Sequence, residues 1–154
     1  MKTKCNKTEL KMIDISPKQK TARTATAGGF IEMSPKTLKA IKENKTPKGD
    51  VFTTSKIAGI MAAKATPSTF PMCHPINITH CDIKFSIEKK GVRVESFIKT
   101  FDRTGAEMEA LLAAGTALLN VYDMLKAIDK EMNVTNIRLL KKSGGKSGNY
   151  ERKN

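Results

Sequence analysis

The chain has 154 residues, 39% hydrophobic and 28% charged, enough for one domain with a real core and no need of a metal or disulfides to hold it. Its three cysteines form no C-x-x-C and exclude a disulfide framework, which fits a reducing, cytoplasmic setting; no stretch approaches the ~20 apolar residues of a membrane span, so a soluble protein is expected. The formal charge of +13 collects at the two ends, net +4 over residues 1–20 and net +5 over 138–154, and with 5% aromatics and no Trp the base-stacking surface of a single-strand nucleic-acid binder is missing, so a nucleotide or polyphosphate fits as well as a polymer.

Residues 1–11, Lys-rich and carrying Cys5, read as a flexible basic leader, 12–148 as a single domain, and 149–154 as a flexible tail. TARTATAGGFIEM (21–33) alternates loosely and predicts a strand, with Gly28-Gly29 as a bulge. Ser34-Pro35 supplies an N-cap and a first-turn proline for a short helix to Asn44. Asp50 caps a second helix, VFTTSKIAGIMAAKA, and Pro67 and Pro71 end helical structure. Ile76–Glu88 alternates as a strand, Lys89-Lys90-Gly91 turns the chain, and VRVESFIKTF returns as the hairpin partner. A long helix is predicted from Ala106 to Met132, and VTNIRLLKK closes the domain as a last strand. The order is that of an α+β, ferredoxin-like split βαβ sandwich, with helices on one face of an antiparallel sheet.

Projected at ~100° per residue, the long helix presents Ala110, Leu111, Ala114, Leu118, Val121 and Leu125 on a broad core stripe that Ile128 and Met132 extend. The opposite face carries Glu109, Thr116, Asn120, Asp123, Lys126 and Lys130, interrupted by Leu112 and Leu119. Asp123 and Lys126, three apart, are neighbours on that face. They read either as an exposed ion pair or, given the two leucines, as a pair enclosed by a subunit interface.

FPMCHPINITHCD (70–82) places Cys73, His74, His80 and Cys81 within reach of a zinc reading. Strand alternation separates His80 from Cys81 and puts Cys81 in an apolar row, so the quartet does not close and no metal site is expected. His74 is then unexplained by packing. Gly145-Lys146-Ser147 resembles the end of a P-loop, but Leu140 stands where that motif needs Gly and no helix can follow. The stretch reads as a weaker phosphate site or as a basic tail.

Five ordered motifs give these signals a common origin: KGDVFTTSKIAGIMAAK (48–64), PMCHP (71–75), TGAEMEAL (104–111), VYDMLKA (121–127) and RLLKKSGGKSG (138–148). Together they closely resemble the cyclic pyranopterin monophosphate synthases of molybdenum cofactor biosynthesis, the MoaC family. The resemblance implies a cytoplasmic lyase that converts 3',8-cyclo-7,8-dihydro-GTP to cyclic pyranopterin monophosphate and pyrophosphate. It also implies a homohexamer, a trimer of dimers with active sites at dimer interfaces. No redox cofactor is implied, and Mg²⁺ enters only as a companion of the triphosphate.

By the same resemblance, Asp123 and Lys126 are the expected catalytic pair. Met72, Cys73 and His74, with Met108, Glu109 and the nearby Glu107, are expected to contact substrate. Arg23, Lys48, Lys142 and Lys146 match basic residues expected to hold the triphosphate. The chain departs from the family at Leu125, Leu112 and Arg103, where Cys, Thr and Lys are common, which bears on pocket geometry more than on activity. Glu109 and Asp123 are fourteen residues apart on one predicted helix, roughly 21 Å, so a compact site is expected to take one from each of two subunits. A non-catalytic nucleic-acid or nucleotide-binding module is the rival reading, which a steep salt dependence of nucleic-acid binding would favour.

Overall fold

The computed structural model describes residues 10–153, so most of the expected leader, Cys5 included, lies outside the described residues. Ser34 and Asp50 perform the capping that their positions predict. Ser34 Oγ accepts from Thr37 N–H ahead of α1 (Pro35–Lys42), and Asp50 accepts from Phe52 and Thr53 N–H ahead of α2 (Val51–Lys64). Each satisfies backbone donors that a helix start leaves orphaned. Pro67 does more than end α2: it occupies the first turn of a further short helix, α3 (Thr66–Thr69), where its missing N–H costs nothing.

Among the described residues, β1 (Thr21–Glu32), β2 (Ile78–Glu88), β3 (Gly91–Asp102), β4 (Asn133–Ser143) and β5 (Tyr150–Glu151) form one sheet in the order β2-β3-β1-β4-β5, antiparallel throughout. The first four strands have the ferredoxin-like order expected. The register of β1 against β4 slips between Gly28 and Phe30, at the predicted bulge. Another irregularity, in the β2–β3 pairing between Ile78 and His80, lets Ile78 pack on the core, although strict alternation put it on the face of His80.

Helix α4 (Glu107–Leu125) lies across β1, β3 and β4, and α2 packs beside it. The two helices approach closely at Gly59, where a Cβ would sit 2.4 Å from Ile83 Cδ1 and 2.8 Å from Ala113 O. Ala110, Ala114, Leu118, Val121 and Leu125 are fully buried, as the helical projection predicts, while Leu111 from the same stripe packs only half-buried against the core. Burial of these side chains against Ile31, Val92, Val94 and Ile98 is the main source of stability.

Three further expectations differ from the structure. The helix stops at Leu125, well before Met132, because the chain is drawn sideways by Asp129. Asp129 Oδ2 accepts from Ser34 N–H and Thr37 Oγ1, each at 2.9 Å, which ties the turn after α4 to the start of α1. Glu109, placed on the polar face by projection, is 3% exposed. The segment read as a flexible tail contains β5, with Lys142 paired to Tyr150 and Lys141 to Glu151.

Candidate active site

Two groups of the expected site residues sit at opposite ends of α4. At its N-terminal end, Glu107 and Glu109 occupy the first turn, where negative charge complements the helix dipole. Glu107 reaches back to Lys142, Oε1 to Nζ 3.3 Å. Glu109 turns inward, and its carboxyl is pushed up from the ordinary 4.5 to about 7, by burial first and by the charge of Glu107, against the pull of its own amide N–H.

Facing it is the extended segment after α3, started by Cys73 N–H donating to Phe70 O at 3.0 Å. Met72, Cys73 and His74 form one wall and Glu107, Met108 and Glu109 the other wall of a cavity of about 360 Å³. Burial, and then the Glu109 charge, raise the Cys73 thiol, so it lines the cavity as a thiol and not as a reactive thiolate. The cavity is roofed by residues that sequence reasoning missed, Ile13, Ile15 and Lys18, from the segment before β1. That segment is shaped by Asp14, whose Oδ1 accepts from Ser16 N–H at 2.8 Å and Ser16 Oγ at 2.6 Å. These bonds lower the Asp14 carboxyl, with a smaller contribution from nearby His74.

Lys18 also lines a neighbouring open cavity of about 720 Å³, together with Gln19, Arg23, Gly145, Lys146 and Ser147. The Arg23 guanidinium is fixed on the end of β3, donating to Asp102 O and Arg103 O at 3.1 Å each. Gly145 lies so close to it, at φ +77°, that a Cβ would stand 2.2 Å from Nη1. Lys142 Nζ donates to Ser147 Oγ at 2.5 Å and so links the glycine loop to Glu107. Of the basic residues expected together, Arg23, Lys142 and Lys146 are brought into one region, shared with Lys18.

Lys48 is not among them. It meets Asp123 at the other end of α4, Nζ to Oδ2 2.6 Å, while Lys126 Nζ lies 2.7 Å from Asp123 Oδ1. Hydrogen bonds from Lys126 and then Lys48 lower the Asp123 carboxyl to about 2, and Asp123 in turn raises Lys126. All three side chains are about half exposed in the single chain. Between this triad and the Glu109 cavity, roughly 21 Å away along the helix, runs an apolar groove of about 320 Å³ floored by Leu112, Thr116 and Leu119, the last 60% exposed.

The cysteines and histidines do not gather. Cys81 packs on the core, and His80 stands edge-on to Phe97 at 6.0 Å. Among the described residues no group of three or more His, Cys, Asp or Glu is placed to hold a metal ion, and no helix is long and apolar enough to cross a membrane.

A ferredoxin-like α+β domain with a buried carboxyl of near-neutral proton affinity beside a glycine-lined basic cradle defines a protein suited to acid/base chemistry on a phosphorylated small molecule. Comparison with known proteins names the group. Residues 12–145 match the model of the MoaC family. The chain is 51% identical over 144 residues to the cyclic pyranopterin monophosphate synthase of Thermoanaerobacter sp. (strain X514), covering 92% of this chain and 91% of the relative. It is 49% identical over 144 residues to that of Clostridium acetobutylicum (92% and 89%). It is 48% identical over 143 residues to that of Desulfitobacterium hafniense (92% and 88%). The chain belongs to the MoaC family.

Proposed function

We propose that this protein is a cyclic pyranopterin monophosphate synthase, converting 3',8-cyclo-7,8-dihydro-GTP to cyclic pyranopterin monophosphate and pyrophosphate. The observation that carries the reading beyond family membership is the contiguity of two cavities through Lys18. One is sized and walled for a ring system, with Met72 to His74 facing Glu109; the other supplies Arg23, Lys146 and a glycine loop for phosphates.

The reaction class divides between these places. Ring opening and rebuilding move protons, and a carboxyl poised near 7 both gives and takes a proton at neutral pH. Cyclisation of the phosphate requires a substrate hydroxyl to attack the α-phosphorus as its bond to the β-phosphate oxygen breaks, and the charge that develops goes to the leaving pyrophosphate. Arg23, fixed on the end of β3, meets that charge together with Lys142 and Lys146. No electron is gained or lost overall, so the reading needs no redox cofactor, and Mg²⁺ would arrive with the triphosphate as part of the substrate.

Asp123, Lys126 and Lys48 are the second acid/base group. As a solvated triad Asp123 is a weak base; enclosure strengthens the coupling and brings the Lys126 proton into use. The apolar groove beside the triad supports enclosure by a second copy, in a homohexamer built as a trimer of dimers whose sites join the Glu109 end of one subunit to the Asp123 end of another. Cytoplasmic localisation goes with this reading. Incubation with the cyclised dihydro-GTP, with pyrophosphate and the pterin product followed together, tests it; folded protein that releases neither would overturn it.

A further inference from the structure

Tyr150–Arg152 line neither cavity, yet they are not left loose. Beyond Ser143 the chain passes through Gly144, Gly145 and Gly148, all at positive φ, before Tyr150 and Glu151 return to pair with Lys142 and Lys141. Arg152 doubles the connection: its N–H donates to Leu140 O at 2.8 Å and its Nε to Leu139 O at 3.0 Å. The Glu151 carboxylate lies 3.5 Å from Lys141 Nζ. The result is a hairpin whose closed end is the glycine loop.

Inside that end, Gly148 N–H donates to Gly145 O at 3.1 Å and turns the chain at Lys146-Ser147. Three glycines give such a loop more conformational freedom to lose than any other residues would. An anion that must order the loop on binding spends affinity on doing so, whereas a loop already closed at both ends does not. The phosphate-side cavity is lined by Pro17 to Gln19, Arg23, and Gly145 to Ser147, with no part of Tyr150–Arg152 in its wall.

We propose that Tyr150–Arg152 is a clamp that holds the glycine loop 144–148 closed in its phosphate-receiving form, which makes Arg152 a positioning residue for the triphosphate and the leaving pyrophosphate. This rests on the synthase reading for the identity of the anion, and its test separates the two.

The full chain is compared with a chain ending at Asn149 and with Arg152→Ala and Arg152→Gln, at fixed ionic strength. Binding of inorganic pyrophosphate is measured by calorimetry, and turnover of the cyclised dihydro-GTP in parallel. The glutamine amide nitrogen occupies the place of the arginine Nε, so Arg152→Gln keeps the bond to Leu139 O without the charge. Truncation is expected to weaken pyrophosphate binding about tenfold and to raise KM similarly with kcat changed much less, since the lost closure acts on binding. Arg152→Ala should lose about threefold and Arg152→Gln should recover most of it. Amides 145–148 should exchange hydrogen faster in Arg152→Ala than in the full chain, a readout that stands if the truncated chain fails to fold.

Equal pyrophosphate affinity in the full chain and Arg152→Ala overturns the clamp, as does Arg152→Gln falling as far as Arg152→Ala, which would make the residue a charge and not a tether. A full chain that does not bind pyrophosphate overturns it too. Clamp-dependent pyrophosphate binding without turnover would support the clamp and overturn the synthase reading.

Discussion

Replacing Glu109 with Gln removes a titrating carboxyl from a site where it is 3% exposed while leaving its shape. In the folded chain this group binds its proton more tightly than in the unfolded chain, about 7 against 4.5. Its contribution therefore favours folding fully below about 4.5 and is lost as pH rises through 7, because at higher pH the fold must hold a buried carboxylate. At ~1.4 kcal/mol per tenfold change in proton affinity the ceiling is about 3 kcal/mol. Because the carboxyl borders a cavity open to the surface, screening brings the working figure to about 2 kcal/mol. Urea denaturation of the native protein and Glu109→Gln at pH 5 and pH 8.5, at one protein concentration, reads this directly. The stability of Glu109→Gln relative to the native protein should rise by about 2 kcal/mol between the two pH values, with activity lost at both. A difference that does not change with pH would refute the assignment of a buried, near-neutral carboxyl.

Asp123→Asn should lower kcat by ~10²–10⁴ with little effect on stability, since the residue is half exposed, and steady-state kinetics with a thermal melt checks both. Gly145→Ala, at φ +77° against the Arg23 guanidinium, should lose more than about 1 kcal/mol of loop stability and most of the pyrophosphate affinity, seen by calorimetry, while the global melt holds. Asp129→Ala removes the acceptor for Ser34 N–H and Thr37 Oγ1 and should destabilise the fold by about 1–2 kcal/mol in urea.

Local signals carried the fold because most of them act locally. Ser34 and Asp50 cap the helices they precede, and the Gly91 turn returns β3 onto β2 in a register that alternation specifies from His80 onward. The end of α4 was not legible, since what stops it is Asp129 reaching Ser34, a contact between residues far apart in sequence. Pro67 was read as a breaker when it begins α3, as a first-turn proline can. Helical projection set Glu109 among polar residues because it ranks positions by angle; burial there comes from Met72 to His74 and the segment holding Ile13, Ile15 and Lys18. That segment has no periodicity to reveal it, and two-residue β5 has none either. Lys48 matched the basic residues of a phosphate site by motif, and only the folded chain puts it on Asp123.

The proposed site joins the two ends of α4 from different copies. Asp123→Asn and Glu109→Gln subunits, each inactive alone, can be co-assembled under two affinity tags and the mixed oligomers compared with the native enzyme for pyrophosphate release. In a 1:1 random assembly about half of the subunit pairs are mixed and each mixed pair keeps one intact site, so about a quarter of the native rate is expected. Mixed oligomers that form and stay as inactive as their parents would contradict it.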